Sequence, residues 1–169
     1  MIKKNPLSLF ILLLLLQVSV HANSSGTNRI TATQVWDMKQ IDDPLLNEGL
    51  AGSFFGKQGN WFLLAGGANF PHGKPWEGRE KAFSNEVFIF SENNNQFESI
   101  TVSKKLPFGV AEGAYVSTSK GMLCIGGQTS DGISNKVFLL NYNGEDVAVE
   151  MYPHLPNAIK NATAAIVNN

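Results

Sequence analysis

The stretch that decides the fold is WFLLAGG, residues 61–67, an apolar run that ends in two glycines. A closely similar run, MLCIGG, occupies residues 122–127. A short segment that is apolar at every position indicates a strand buried on both faces. Two glycines allow the chain a sharp exit that a Cβ would obstruct. The two runs therefore predict the same buried strand in two copies of one repeat.

Other features recur with nearly the same spacing. NEVFIF at residues 85–90 returns as NKVFLL at residues 135–140, and Leu106-Pro107 returns as Leu155-Pro156. Repeats of about 50 residues, each with four short strands, are typical of propeller blades. No segment has sustained helical periodicity. The sequence therefore predicts an all-β fold made of kelch-type β-propeller blades.

Each unit also opens with a strand of small residues, expected innermost, and closes with a more polar outer strand. The first blade is predicted at residues 49–102, the second at residues 112–152 and the start of a third at residues 162–169. Residues 30–40 resemble an outer strand that completes the closing blade of a ring. A ring needs at least four blades, so this chain of about two blades, with an orphan strand at each end, is expected to lack the remaining blades. A small open sheet stack that folds alone is the alternative.

The N-terminus has the pattern of a secretory signal. Lys3 and Lys4 precede the almost continuously apolar residues 7–20, and VHA at residues 20–22 offers a small-x-small cleavage site. The apolar run is short for a membrane span. We expect residues 1–22 to be removed as a signal peptide and the mature protein to be periplasmic or secreted, with no membrane association. An uncleaved N-terminal anchor is the alternative.

Composition excludes several classes of protein. The formal net charge of −1 gives no electrostatic reason to expect nucleic-acid binding. Cys124 is the only cysteine, so no disulfide framework is possible within the chain, and its apolar strand predicts a buried thiol. His72 and His154 are isolated, and no metal site is predicted.

The first repeat carries a more specific pattern, namely EGLAG at residues 48–52, AGGANFP at 65–71, PWEG at 75–78, and then Lys81. This pattern resembles the cyclically permuted mutarotase family, kelch propellers that are similar to N-acetylneuraminate epimerases. The resemblance extends from about residue 36 to the end. It implies six blades in the full protein, a sialic acid mutarotase or epimerase activity, and no cofactor. It also implies that the usual catalytic glutamate lies beyond Asn169, so whether this chain is itself an enzyme stays open.

The loop of residues 68–84 is the candidate binding segment. Gly67 and Asn85 are 18 positions apart, whereas the equivalent Gly127 and Asn135 are 8 apart. The loop is expected on the same propeller face as residues 44–48. The predicted ligand is a small sugar acid (sialic acid), and the predicted substrate-binding residues are Asn69, Trp76, Glu77 and Arg79.

Each of these residue types suits a sugar acid. Trp76 is expected to stack on the apolar face of the sugar ring, Arg79 to bind a carboxylate through two hydrogen bonds, and Glu77 to bind a hydroxyl. The alternative is a decorated surface loop with Trp76 packed beneath it.

Two glutamates are candidates for proton transfer, Glu112 and Glu77. Glu112, like Glu48, precedes an inner strand at the mouth of the axial channel, where a carboxylate can be desolvated. The alternative is that Glu112 hydrogen-bonds the backbone of a neighbouring blade. Two other functions also remain open, a non-catalytic glycan-binding module and a protein-interaction propeller.

Overall fold

The computed structural model describes residues 37–38, 43–93, 96–100 and 104–167, which belong to one compact unit, Gln34–Asn169. The predicted signal peptide at residues 1–22 and most of the predicted outer strand at residues 30–40 lie outside the described residues. Within the described part of the chain, no helix has the length and apolar character needed to cross a bilayer.

Short strands are the main regular structure of the described chain. The elements in chain order are β1 Asp37–Met38, α1 Pro44–Glu48, β2 Phe54–Gln58, β3 Trp61–Ala65, β4 Ala68–Asn69, a 3-10 turn at Pro75–Glu77, β5 Ala82–Phe83, β6 Val87–Asn93, β7 Gln96–Ile100, β8 Ala114–Thr118, β9 Gly121–Ile125, β10 Gln128–Thr129, β11 Gly132–Ile133, β12 Val137–Tyr142 and β13 Val147–Tyr152.

Two antiparallel sheets form the body of the molecule. The first has the order β1-β7-β6-β3-β2, with β1 added in parallel at one edge, and the second has the order β13-β12-β9-β8. The four antiparallel strands therefore take the same relative order in each sheet. Short ribbons, β4-β5 in the first unit and β10-β11 in the second, close the base of the loop between the second and third strands. The repeat therefore folds as two four-stranded kelch-type blades, and the all-β prediction is confirmed.

The two glycines after each buried strand have matching conformations. Gly66 and Gly67 have φ of 66° and 101°, and Gly126 and Gly127 have φ of 67° and 104°. A Cβ on Gly66 would collide with the carbonyl oxygen of Val110. Only glycine adopts this left-handed backbone without strain while leaving room for a neighbouring carbonyl. The sharp exit predicted from the glycine pairs is confirmed.

The inner strands begin later than the sequence indicated. The first was predicted from Gly49 and starts at Phe54; the second was predicted from Glu112 and starts at Ala114. The cause is a left-handed residue ahead of each strand, Gly52 with φ of 66° and Glu112 with φ of 61°. A positive φ interrupts extended pairing, so most of the small residues lead into the strand and do not form it.

The two ends of the described chain differ from the expected strands. The described part of the predicted outer strand, Asp37–Met38, pairs in parallel with Gln96–Phe97 at the edge of the first blade. Residues 162–167 contain no strand, and residues 168–169 lie outside the described part. The start of a third blade stays a prediction.

The hydrophobic core lies between the two blades. Phe54 of β2 packs edge-on against Phe138 of β12, with ring centroids 5.6 Å apart, and Met122 of β9 lies against Gly56. The core is completed by other apolar side chains from both sheets and by Val110 and Leu106 from the segment that links them. This packing fixes how the loops of the two units meet.

Candidate functional site

An open cleft lies where α1 meets the long loop of the first unit. Its volume is about 540 Å³. The amide of Asn69 donates to Glu48 Oε2 at 3.3 Å, which joins the loop to the end of α1. The lining residues are Glu48, Gly49, Leu50, Ala51, Ala68, Asn69, Phe70, Gly73, Lys74, Pro75, Trp76 and Lys81. The two segments that the sequence assigned to one face therefore do form one cleft.

Trp76 lies on the 3-10 turn at the rim of this cleft. Its side chain is 79% exposed, and the Lys74 ammonium lies 6.0 Å from the ring centroid. The alternative expectation placed this indole beneath the loop, and its exposure shows that it is not packed there. An exposed aromatic face beside a polar cleft suits stacking on the apolar face of a sugar ring.

Glu77 and Arg79 lie elsewhere on the loop. The Glu77 carboxylate accepts a hydrogen bond from the backbone N–H of Lys74 at 2.9 Å, which closes the 3-10 turn. Arg79 is exposed and lies beside Gly73, and neither Glu77 nor Arg79 lines the cleft. The structure thus brings Asn69 and Trp76 together and leaves the other two predicted binding residues outside. Lys81, for which the sequence suggested no specific role, takes a place in the lining.

Glu112 is held by its backbone between two neighbouring segments. Its N–H donates to the carbonyl oxygen of Gly52 at 2.8 Å, and its own carbonyl accepts from the N–H of Asn161 at 2.7 Å. The alternative expectation was that the Glu112 side chain hydrogen-bonds the backbone of a neighbouring blade. In the structure, the main chain of Glu112 makes these hydrogen bonds.

The Glu112 carboxylate is paired with two lysines. Lys81 Nζ donates to Oε1 at 2.5 Å, and Lys160 Nζ lies 3.5 Å from Oε2. Lys160 also donates to Gln128 Oε1 at 2.6 Å. The hydrogen bond from Lys81 lowers the pKa of Glu112 below its ordinary value of 4.5; burial opposes the change, and the charges of Lys81 and Lys160 add to it. Glu112 is therefore a carboxylate at neutral pH.

This electrostatic setting bears on proton transfer. General acids and bases work best when their pKa lies near the working pH. The lysines lower the pKa of Glu112, which moves it further from neutral pH. Catalysis by Glu112 or Glu77 stays a prediction. Lys160 was missed by sequence analysis. Asn161 follows Glu112 by 49 positions, which is the spacing of the repeat. This spacing could have predicted that Lys160, the residue before Asn161, lies in the segment next to Glu112.

Comparisons with known proteins agree with the motifs. No protein-family model matches the chain. The chain is 38% identical over 114 residues to N-acetylneuraminate epimerase of Vibrio cholerae, a match covering 62% of this chain and 28% of the relative. It is 34% identical over 127 residues to N-acetylneuraminate epimerase of Brucella suis, covering 69% of this chain and 31% of the relative.

A third similar relative is N-acetylneuraminate epimerase of Haemophilus influenzae, 34% identical over 113 residues. The match covers 61% of this chain and 29% of the relative. A solved structure titled "Structure of YjhT" is 27% identical with a TM-score of 0.49, covering 60% of this chain and 31% of that one. The chain thus spans about 30% of the length of the curated relatives it matches. The similarity to N-acetylneuraminate epimerases predicted from the sequence motifs is confirmed.

Proposed function

We propose that the protein is a sialic acid (N-acetylneuraminate) mutarotase or epimerase that interconverts the anomers of the sugar by acid–base ring opening. The names of the curated relatives support this activity. The structural observation that carries the proposal is the cleft beside α1, because it combines an amide, a carboxylate, two ammonium groups and an exposed indole.

The chemistry of the cleft suits a sugar acid. A volume of about 540 Å³ lies within the range of small-molecule sites. Trp76 offers an apolar face to the ring, Asn69 and Glu48 offer hydrogen-bonding groups to hydroxyls, and Lys81 offers a positive charge to a carboxylate. In this proposal these residues bind and orient the substrate.

The proposed reaction needs few groups. One group removes the proton of the anomeric hydroxyl while another protonates the ring oxygen, so the C–O bond of the ring breaks and a free keto form results. Closure on the opposite face of the carbonyl gives the other anomer, and the protons return. Orientation of the sugar by the cleft is the contribution of the described residues.

We further propose that the protein acts in the periplasm or outside the cell. The basis is the pattern of residues 1–22, with two lysines, an apolar run and a small-x-small site.

The test is exchange between sialic acid anomers, followed by NMR with protein expressed from the complete gene. The expected result is exchange faster than the uncatalysed rate and saturable in sialic acid. Binding by calorimetry without faster exchange would instead identify a non-catalytic glycan-binding module. Absence of both binding and exchange would overturn the proposed function.

A further inference from the structure

Glu112 occupies a costly backbone conformation. Its φ is 61°, and the two residues that take the same position in the neighbouring units are Gly52 with φ of 66° and Asn161 with φ of 52°. Glycine and asparagine adopt this left-handed region readily, whereas a glutamate adopts it only with strain. Such a strained residue, held by surrounding hydrogen bonds, is a reason to look for a function.

The Glu112 carboxylate contacts two cations. Lys81 comes from the long loop of the first unit, 31 positions away, and Lys160 comes from the segment after the second blade. The backbone of Glu112 is hydrogen-bonded to Gly52 on one side and to Asn161 on the other. These bonds restrict the position from which its carboxylate holds both ammonium groups.

The Lys81 ammonium retains capacity to bind a ligand. A lysine has three N–H donors, and among the described residues Glu112 is the hydrogen-bond partner of Lys81. Two ammonium groups around one carboxylate leave one positive charge uncompensated. Lys81 also lines the cleft beside Asn69 and Trp76, whereas Arg79 does not.

We propose that Glu112 is a positioning residue that holds Lys81 at the cleft, with Lys160 as a second cation, so that Lys81 binds the carboxylate of the sugar acid. This inference rests on the proposed function and deepens it, because it assigns the carboxylate of the substrate to Lys81. It differs from the sequence-based expectation, which gave that carboxylate to Arg79.

The first experiment compares Lys81→Gln with Lys105→Gln in the full protein. Lys105 forms an ion pair with Glu86 and lies outside the cleft lining, so it is a matched control. Lys81→Gln should weaken binding of sialic acid about tenfold or more, the effect of losing a charged hydrogen bond, and Lys105→Gln should leave it within twofold. For the carboxamide analogue of sialic acid, the difference between the two variants should largely disappear.

The second experiment separates positioning from folding. Glu112→Gly removes the ion pairs and also relaxes the strained backbone. These two effects on stability oppose each other, so the readout is the folded protein: sialic acid binding should weaken, and the KM for anomer exchange should rise more than kcat falls. A purely structural carboxylate would leave the affinity and the KM of the folded protein unchanged, whatever the melting temperature, and that result would overturn the positioning role.

Three outcomes are decisive. Unchanged binding by Lys81→Gln in an active protein overturns this inference and leaves the proposed function standing. Loss of binding in Arg79→Gln, with Lys81→Gln unaffected, overturns it in favour of Arg79. A wild-type protein that neither binds nor exchanges sialic acid overturns the proposed function, and this inference with it.

Discussion

The side-chain amide of Gln58 and the backbone of Tyr142 hydrogen-bond each other in both directions. Gln58 Nε2 donates to the Tyr142 carbonyl at 3.0 Å, and the Tyr142 N–H donates to Gln58 Oε1 at 2.9 Å. The side-chain amide thus pairs with the backbone as a peptide group of a neighbouring strand would. It connects the end of β2 to the end of β12, 84 positions later in the chain. Alongside it, the ring of Tyr142 packs edge-on against Trp61 at 5.1 Å. This pair joins the two blades away from the cleft.

Replacing Gln58 by glutamate should destabilise the folded protein by about 1–3 kcal/mol, because a carboxylate still accepts from the Tyr142 N–H but cannot donate to its carbonyl. The loss should shrink at acidic pH. The introduced carboxyl group can donate again once it is protonated, so its pKa is raised in the folded state, and its favourable contribution is lost as the pH rises through that value. Urea unfolding at pH 4 and pH 7 measures both effects.

Asn60→Asp, in the exposed turn after β2, controls for the added charge. Equal unfolding free energies for Gln58→Glu and the wild type at pH 7 would show that the reciprocal pair does not stabilise the blade contact.

Gly113→Ala should cost more stability than Gly56→Ala, although both add one methyl group between the blades. A Cβ on Gly113 would meet the ring of Phe54 and the Ile125 carbonyl oxygen, which are rigid, whereas a Cβ on Gly56 would meet chiefly the flexible side chain of Met122. We expect about 1–3 kcal/mol for Gly113→Ala. Thermal unfolding of the two variants side by side gives the comparison, and the reverse ranking would contradict this account of the packing.

The ion pairs of Glu112 should make part of the stability dependent on acid. Lys81 and Lys160 face this carboxyl and lower its pKa below 4.5. A carboxyl with a lowered folded-state pKa contributes stability that is complete above its unfolded value and is lost as the pH falls through the folded value. The wild type should therefore lose more stability than Glu112→Gln between pH 5 and the acid limit of the native state.

Chemical unfolding at a series of pH values tests this expectation, with Glu150→Gln as the control, since Glu150 is exposed on β13. Parallel pH profiles for the wild type and Glu112→Gln would show that the two lysines contribute nothing through Glu112 to stability.

The Cys124 thiol should not react with thiol reagents in the folded protein. Cys124 is fully buried in β9, and burial raises the pKa of its thiol well above the ordinary range. The thiolate is the reactive form, so labelling should follow unfolding. Cys124→Ser should destabilise by about 1–3 kcal/mol by burying a hydroxyl group. Rapid labelling of native protein would contradict the buried position.

Mature protein isolated from the producing cell should begin near Asn23 and lie outside the cytoplasm, because residues 1–22 have the charge, apolar run and cleavage pattern of a secretory signal. N-terminal sequencing and fractionation measure this. An intact Met1 on cytoplasmic protein would reject the assignment.

The local pattern of residues by itself determined the blades. Apolar runs ending in two glycines placed β3 and β9, and the recurring Asn-x-Val pattern placed β6 and β12, because burial and chain reversal leave their mark on neighbouring residues. The length of the first loop likewise pointed to the segment that lines the cleft. Cys124 was correctly expected to be buried, since its strand is apolar throughout.

The tertiary structure alone decided which side chains meet. Lys81 was recognised in the sequence as part of the pattern of the first repeat. Its contact with Glu112 spans 31 positions and depends on how one blade packs against the next. The late start of the inner strands follows from the left-handed backbone at Gly52 and Glu112. The pairing of Gln58 with Tyr142 has the same origin. Residue patterns report whether a side chain is buried, whereas the distance between two side chains depends on the orientation of whole sheets.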